Sequence, residues 1–224
     1  MRYPDCGDGP PILAAPETTT TVRVTSTEPA PATTTLAVGP QPLPAGGFLE
    51  PGEYQTTVFQ PTVVYQIDRK HILDPFQDQL ATGFQSKRAA PGGGSGRGDF
   101  KYKGVALHNF WLGLTPDQVE VELRKLETIE FGSTTSIEIA GFSGSQIEAF
   151  VAATARLYAE PGIGIGEGTT SAWWLEPNQQ MRFIILNTPA GSLLITVGAD
   201  AEEWDDFLPR AEEILAGISF PDLG

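Results

Sequence analysis

The chain has very little cysteine and histidine, and this scarcity excludes several kinds of site. Cys6 is the single cysteine among 224 residues, so neither an intrachain disulfide nor a cysteine-rich zinc site can form. The two histidines, His71 and His108, are far apart and have no carboxylate at metal-ligand spacing. Cys6 lies in a segment without a helix terminus or base that could activate a thiol. We therefore expect no metal site, no cofactor and no catalytic cysteine.

Long apolar runs are also missing. No stretch approaches the roughly 18 consecutive apolar residues of a membrane-spanning helix, and the longest runs, "FIIL" and "LLITV", have the length of strands. The residues before Cys6 contain neither the charged nor the apolar region of a signal peptide. Asp5 precedes Cys6, where a lipid-modified cysteine needs a small residue. We predict no transmembrane segment, and membrane association only through an anchor upstream of Met1.

Positive charge is scarce overall but concentrated in one region. The chain has 14 basic and 28 acidic residues and a net charge of −14, which argues against nucleic-acid binding. Residues 200–213 are strongly acidic and have Arg210 as their single base. The two regions are either solvated surfaces or lie against each other; alternatively, the basic one is a face for an anionic polymer or lipid. Half of the basic residues fall between 69 and 103 and are our candidate partner-binding residues: Arg69, Lys70, Lys87, Arg88, Arg97, Lys101 and Lys103.

The first 47 residues differ in composition from the rest of the chain. "ETTTTVRVTSTEPAPATTT" and "GPQPLPAGG" are rich in Thr and Pro and have almost no large apolar side chains. Such a segment cannot offset the entropy of ordering, so residues 1–47 are predicted to be a disordered spacer. A spacer of this kind is typical of a domain held away from a surface; a disordered N-terminus without a role is the alternative.

Residues 48–224 are predicted to form one α+β domain. "FLEPGEYQTTVFQPTVVYQI" predicts two short strands, the first at a sheet edge. Residues 68–103 lose this pattern and contain "AAPGGGSGRGDF", so we expect a long, basic, Gly-rich loop there. The Arg97-Gly98-Asp99 tripeptide within it is interpreted as a chance match to integrin ligands.

The second half of the chain carries clearer helix and hairpin signals. Thr115, Pro116 and Gln118 predict a capped helix start. "TSIEIAGFSGSQIEAFVA" predicts a hairpin that turns at residues 141–144. "AWWLEPNQQMRFIIL" and "GSLLITVGA" predict further strands. The last helix is expected to begin with an Asp200/Glu203 cap and to kink or restart at Pro209, with "ISF" as a final strand.

Motifs of known enzyme classes are absent from the sequence. There is no G-x-S-x-G and no H-E-x-x-H, and "GFSGS" around Ser143 lies in a hairpin turn and not at a strand-to-helix corner. The glycines of "PGIGIGEGTTS" match no phosphate-binding loop. The carboxylates of residues 202–206 are interpreted as a solvated helix face, and His108 as a core histidine. We therefore predict no catalytic residue.

The motif "LEPGxYxTxxFxP" at residues 49–61, together with the segments "IEIAGFSGSQ" and "QQMRFIILNTPAGSLLITVGADAEEWDDFLPRAEEILAGISF", resembles a group of secreted or lipid-anchored envelope proteins of actinobacteria. In that group a Thr/Pro-rich spacer precedes the domain. The resemblance covers roughly residues 48–220 and implies a PsbP/Mog1-like fold, a single antiparallel sheet flanked by helices. Its motifs are structural, so it implies no active-site residue. Where such proteins continue from "VVYQI" into a Gly-Trp strand pair, this chain has "DRKHILDPFQ".

These observations favour a non-enzymatic envelope or extracellular module on a flexible tether. It would bind a protein or envelope component through its sheet face or the 68–103 loop. A cell-wall hydrolase or transferase using scattered carboxylates is one alternative, and an assembly factor or subunit of a larger complex is another. We expect an extracellular or cell-surface location, with the cytoplasm as the alternative.

Overall fold

The computed structural model describes residues 39–69, 73–89, 100–158 and 172–224, all within one compact unit. The predicted spacer is therefore outside the described residues up to position 38. In chain order the elements are β1 (Gln41–Pro42), β2 (Gly52–Gln55), β3 (Val64–Ile67), β4 (Asp74–Gln77), β5 (Ala81–Ala89), β6 (Phe100–His108), α1 (Pro116–Arg124), β7 (Ile129–Ile139), β8 (Phe142–Val151), β9 (Ala155–Tyr158), β10 (Ala172–Leu175), β11 (Gln179–Thr188), β12 (Gly191–Asp200), a 3-10 turn (Ala201–Glu203), α2 (Trp204–Ala216) and β13 (Ile218–Ser219).

The strands form more than one sheet, so the prediction of a single sheet is wrong. The large sheet has seven antiparallel strands in the order β4-β5-β6-β12-β11-β8-β7. A second sheet has the order β1-β2-β3-β13, and β9 pairs with β10 in a two-stranded ribbon. The α+β class is confirmed: the chain is mostly sheet, with α1 and α2 as the helices of its described part.

Two hydrophobic cores lie on opposite faces of the large sheet. The first core contains apolar residues of the four-stranded sheet and of α2, such as Tyr65 and Phe207, together with Val197 of β12. The second core contains Val119 of α1 and Phe183 of β11. Both faces of the sheet are therefore filled, and neighbouring residues of β12 are buried on opposite sides.

The folded domain begins earlier than residue 48. The side chain of Leu43 is buried at 3% exposure. Its backbone N–H donates to the carbonyl of Gln55 at 2.7 Å, and its own carbonyl accepts from Gln77 Nε2 at 2.6 Å. These bonds attach residues 41–43 to β2 as a parallel strand. The first predicted strand is therefore not at the sheet edge, because β1 pairs along it.

Much of the predicted 68–103 loop is sheet. β4 and β5 lie within it, and β5 pairs with β6 along its whole length. The apolar pattern of β5 is weak because Phe84 alone supplies a large buried side chain, at 0% exposure, next to Gly83. A Cβ on Gly83 would lie 2.1 Å from the carbonyl oxygen of Val105, so this glycine permits the close approach of β6.

The predicted elements of the second half form, with three changes. Thr115 caps α1 in a capping box with Gln118, and the hairpin β7-β8 forms, but it turns at Ala140 and Gly141. α2 continues through Pro209, and Asp200 makes no side-chain capping bond. Packing of α2 against the first core on both sides of Pro209 maintains the helix that local propensity would interrupt.

Candidate functional site

The basic and acidic regions of the sequence lie partly against each other. Arg69, which follows β3, donates to Glu213 of α2 with an Nη2 to Oε1 distance of 2.6 Å. Lys103 of β6 donates to Glu203 with an Nζ to Oε2 distance of 3.1 Å. Two of the seven predicted partner-binding residues are thus held by the acidic segment 200–213. The interpretation that the two regions lie against each other is confirmed for these pairs.

A cleft of about 400 Å³ opens between the end of β3 and α2. Its apolar side chains are Ile67 and Ile214, each 4% exposed. The full lining consists of Gln66, Ile67, Asp68, Arg69, Arg210, Glu213 and Ile214. The cleft therefore combines an apolar floor with two guanidinium groups and two carboxylates at its rim.

The end of α2 positions this cleft. Gly217 follows α2, and its carbonyl accepts a 2.7 Å bond from the backbone N–H of Gln66 in β3. A Cβ at position 217 would lie 2.5 Å from the carbonyl oxygen of Gln66. Glycine at this position therefore lets the helix end contact β3, which brings Glu213, one turn earlier, to Arg69.

Glu213 contacts both arginines of the cleft. Both of its oxygens accept hydrogen bonds from Arg69, and Oε2 also lies 3.4 Å from Arg210 Nη1. The hydrogen bond from Arg69 is the largest cause that lowers the pKa of this carboxyl; desolvation opposes it, and the charges of Arg69 and Arg210 lower the pKa further. Glu213 is thus held as a carboxylate that orients two guanidinium groups.

The other predicted basic residues lie at the end of the β5-β6 hairpin or outside the described residues. The register pairs Arg88 with Lys101, and Ser86 with Lys103, while Lys87 pairs with Tyr102. Lys70 and Arg97 lie outside the described residues.

A further ion-pair network attaches α2 to the large sheet. Arg182 of β11, whose side chain is 13% exposed, donates to Glu148 at 2.6 Å and to Glu212 at 3.2 Å. Lys103 and Arg69 provide two further ion pairs, to Glu203 of the 3-10 turn and to Glu213 of α2. Basic groups from three parts of the domain therefore pair with acidic groups of the 3-10 turn and α2.

His108 is a core residue, as predicted. It is 1% exposed, its Nε2 lies 3.0 Å from Thr196 Oγ1, and its ring centroid is 5.1 Å from that of Phe110. Burial lowers the pKa of His108 to about 3, so the imidazole is neutral at physiological pH. Within the described ranges, no three His, Cys, Asp or Glu side chains are grouped as metal ligands.

No pattern in the sequence assigned Arg210, Gln66 or the apolar floor to a site. Arg210 was recognised only as the single base in an acidic segment. Its position three residues before Glu213 on a helix was an available signal, since residues at this spacing are neighbours on the helix surface. The contribution of Gln66 and Ile67 depends on the packing of β3 against α2, which no local pattern shows.

Comparisons with known proteins find matches among solved structures. No family model and no curated protein matches the chain. A similar solved structure is the solution structure of cyanobacterial PsbP (CyanoP) from Synechocystis sp. PCC 6803, at 9% sequence identity and a TM-score of 0.33, covering 66% of this chain and 92% of that chain. None of the helices in the described ranges is long and apolar enough to cross a membrane. Assignment to the PsbP/Mog1-like fold stays a prediction.

Proposed function

We propose that this protein is a non-enzymatic envelope or extracellular module on a flexible tether, and that it binds an anionic envelope component through the end of the β5-β6 hairpin. Anionic phosphate groups, as found in lipid headgroups and in polymers, are the chemistry that such a basic surface recognises. The extracellular location rests on the Thr/Pro-rich composition of residues 1–47 and on the resemblance to secreted envelope proteins.

The observation that carries this proposal is the register of β5 and β6. It places Arg88 directly opposite Lys101. Like charges directly opposite each other on two strands are unfavourable, by about as much as an attractive pair is favourable, roughly 0.2–1 kcal/mol. An anion that binds across this register position would offset that unfavourable term.

Two residues of the basic region already form ion pairs within the domain. Arg69 and Lys103 are engaged by Glu213 and Glu203, and their charge is therefore compensated within the domain. Arg69 and Lys103 are thus weaker candidates for an external partner, and we propose Arg88 and Lys101 from their register on β5 and β6. The cleft beside Arg69 has two bases and two acids, which makes it a weaker site for an anion.

The geometry gives less support to a cell-wall hydrolase or transferase. A general acid needs a carboxyl with a raised pKa, whereas the pKa of Glu213, in the cleft, is lowered by Arg69. The interface between the large sheet and α2 is filled by apolar side chains such as Ile214 and Phe207. The role of an assembly factor stays a prediction.

The test uses vesicles of phosphatidylglycerol and phosphatidylcholine, vesicles of phosphatidylcholine alone, and soluble polyphosphate. We expect the wild-type protein to bind the anionic vesicles, or polyphosphate, and not the neutral vesicles, with affinity that falls as salt is added. The double variant Arg88→Ala, Lys101→Ala should bind at least tenfold more weakly. Lys125→Ala, which removes an exposed base on α1, is the matched control and should bind normally.

Substitution is preferable to deletion in this region. Removing residues 68–100 would delete β4 and β5 and the buried side chains of Leu73 and Phe84, so the domain would lose part of its core. Equal binding by wild type and the double variant would refute the assignment to the hairpin. If the wild-type protein binds neither the anionic vesicles nor polyphosphate, the proposed ligand class is refuted.

A further inference from the structure

The strand β7 is the long exposed edge of the structure's described part. The other edge strands are short: β4 has four residues including Pro75, β1 has two residues ending at Pro42, and β13 has two. Short length and proline protect edges against pairing with other chains. β7 has 11 residues with no lysine or proline, and its residues 132–136 are all exposed.

The turn after β7 determines which backbone groups face outward. Ala140 and Gly141 both have positive φ, 53° and 81°, as in a two-residue type I′ turn. Ile139 and Phe142 are therefore a hydrogen-bonded pair with β8, and such pairs alternate along the ladder. The N–H and C=O groups of Thr134, Ser136 and Glu138 consequently point away from β8, toward solvent.

The irregular part of β7 precedes the outward-facing backbone groups of Thr134, Ser136 and Glu138. The register with β8 shifts between Phe131 and Thr134, and from Thr134 to Ile139 it is regular. Arg124 of α1 covers the irregular part, donating to Thr134 Oγ1 at 3.1 Å. In this regular part of β7, Thr134, Ser136 and Glu138 each present one backbone N–H and one C=O group outward, and Glu138 is the one charged side chain.

We propose that β7 is a self-association edge, on which a second copy of this chain pairs antiparallel about a two-fold axis at Ser136. In this register Ser136 lies opposite Ser136 of the second copy, and Thr134 lies opposite Glu138. Three hydrogen-bonded pairs form, which supply roughly six backbone hydrogen bonds. The two seven-stranded sheets become continuous across the axis.

Charge complementarity supports this occupant and this register. Thr134, Ser136 and Glu138 share one face of the strand, the face on which α1 lies, because Thr134 is opposite Ile147 of the second core. The pairing therefore brings Glu138 of each copy to Arg124 of the other, beside Thr134. The Arg124 side chain is 39% exposed, and Glu120 and Thr134 already orient it. Because of the two-fold symmetry, the ion pair between Glu138 and Arg124 occurs twice in the dimer.

The composition of the edge also suits pairing with itself. At the centre of the contact, serine meets serine, and on each side the next pair on the same face joins Thr134 to Glu138, which permits cross-strand hydroxyl hydrogen bonds. No two carboxylates come opposite each other in the register centred on Ser136. A contact of this length lies below the roughly 1,200 Å² of a standard interface, so we expect a weak, reversible dimer.

Cysteine crosslinking tests the register directly, since Cys6 is the one native cysteine and can be replaced by serine. In the Cys6→Ser background, Ser136→Cys puts two cysteines opposite each other, with Cα atoms about 5.5 Å apart, within the range of a disulfide. Thr135→Cys is the matched control, because it lies opposite Ile137 of the second copy. We expect the Ser136→Cys disulfide dimer to form at least tenfold faster than that of Thr135→Cys.

Sedimentation velocity tests the charge pairs without new cysteines. Wild type should dimerise reversibly over a concentration series reaching about 1 mM. Glu138→Arg places two cations together in each pair and should weaken dimerisation at least tenfold, whereas Asn187→Arg, an exposed change on β11, should leave it unchanged. Equal crosslinking at positions 135 and 136 overturns the register. If an extended segment of another protein is the true occupant, wild type stays monomeric at every concentration, and that result overturns the proposal.

Discussion

Protonation of His108 should be a main cause of acid destabilisation in this domain. The imidazole is buried at 1% exposure between Thr196 and Phe110. Burial lowers the pKa of His108 from the ordinary value of 6.5 to about 3. Between these two values the unfolded chain binds a proton at this position and the folded domain does not. The free energy of unfolding must therefore decrease as the pH falls through this window.

The magnitude follows from the two pKa values. Each pH unit between them corresponds to about 1.4 kcal/mol for a single group. From pH 7.5 to pH 5, His108 alone should lower the free energy of unfolding by about 2 kcal/mol, and by about 3 kcal/mol at pH 4. This is a large part of the roughly 5–15 kcal/mol that a domain typically has.

The measurement is urea unfolding of wild type and His108→Gln at pH 7.5, 6, 5 and 4. Other titrating groups, including Glu120 and Glu213, are present in both proteins, so their effects cancel in the difference between them. Glutamine does not titrate and keeps a polar atom available for Thr196. The stability advantage of wild type over the variant should shrink by about 2 kcal/mol between pH 7.5 and pH 5. An advantage that stays constant across this range would refute the reasoning.

Three other substitutions test local features of the fold. Thr115→Ala removes the capping box of α1 and should cost about 1 kcal/mol, measured by chemical denaturation; an unchanged midpoint would contradict the capping role. Gly191→Ala should prevent folding or cost several kcal/mol, because φ is 114° and the new Cβ would lie 1.7 Å from the carbonyl oxygen of Leu112. Gly141→Ala is its control: φ is 81° with nothing near the Cβ, so it should cost only about 1 kcal/mol, and similar thermal midpoints for the two variants would contradict this account. Phe183→Ala empties part of the second core and should cost about 3–5 kcal/mol by urea unfolding; a loss below about 1 kcal/mol would show that the site is not packed as described.

The sequence was sufficient to predict an element where neighbouring residues determine its beginning or its turn. α1 begins at Pro116 after Thr115, as the capping residues predicted, because the cap is made of neighbours in sequence. The hairpin β7-β8 formed as predicted because the alternation of Ile137 and Ile139 reaches a tight turn. The C-terminal order of two strands, a helix and a final strand was likewise confirmed.

Local signals failed where distant contacts decide the structure. β5 was predicted as loop because its composition is polar and rich in small residues, yet its backbone is fully paired with β6. Leu43 was assigned to the spacer because a single leucine among prolines has no periodicity. Its burial depends on β2 and Gln77, which supply the hydrogen bonds. Pro209 was expected to interrupt α2, and packing against the first core outweighs that preference.

The same distinction applies to the candidate site. The sequence by itself determined that the domain carries a basic region and an acidic helix, that its single cysteine can form no internal disulfide, and that 1–47 differ in composition from the rest. Only the tertiary structure decided which charges are engaged, since Arg69 and Glu213 are 144 residues apart and meet because Gly217 lets α2 contact β3. It also decided that Arg88 pairs in register with Lys101 and that β7 ends the large sheet, because strand register and strand order are set by long-range pairing.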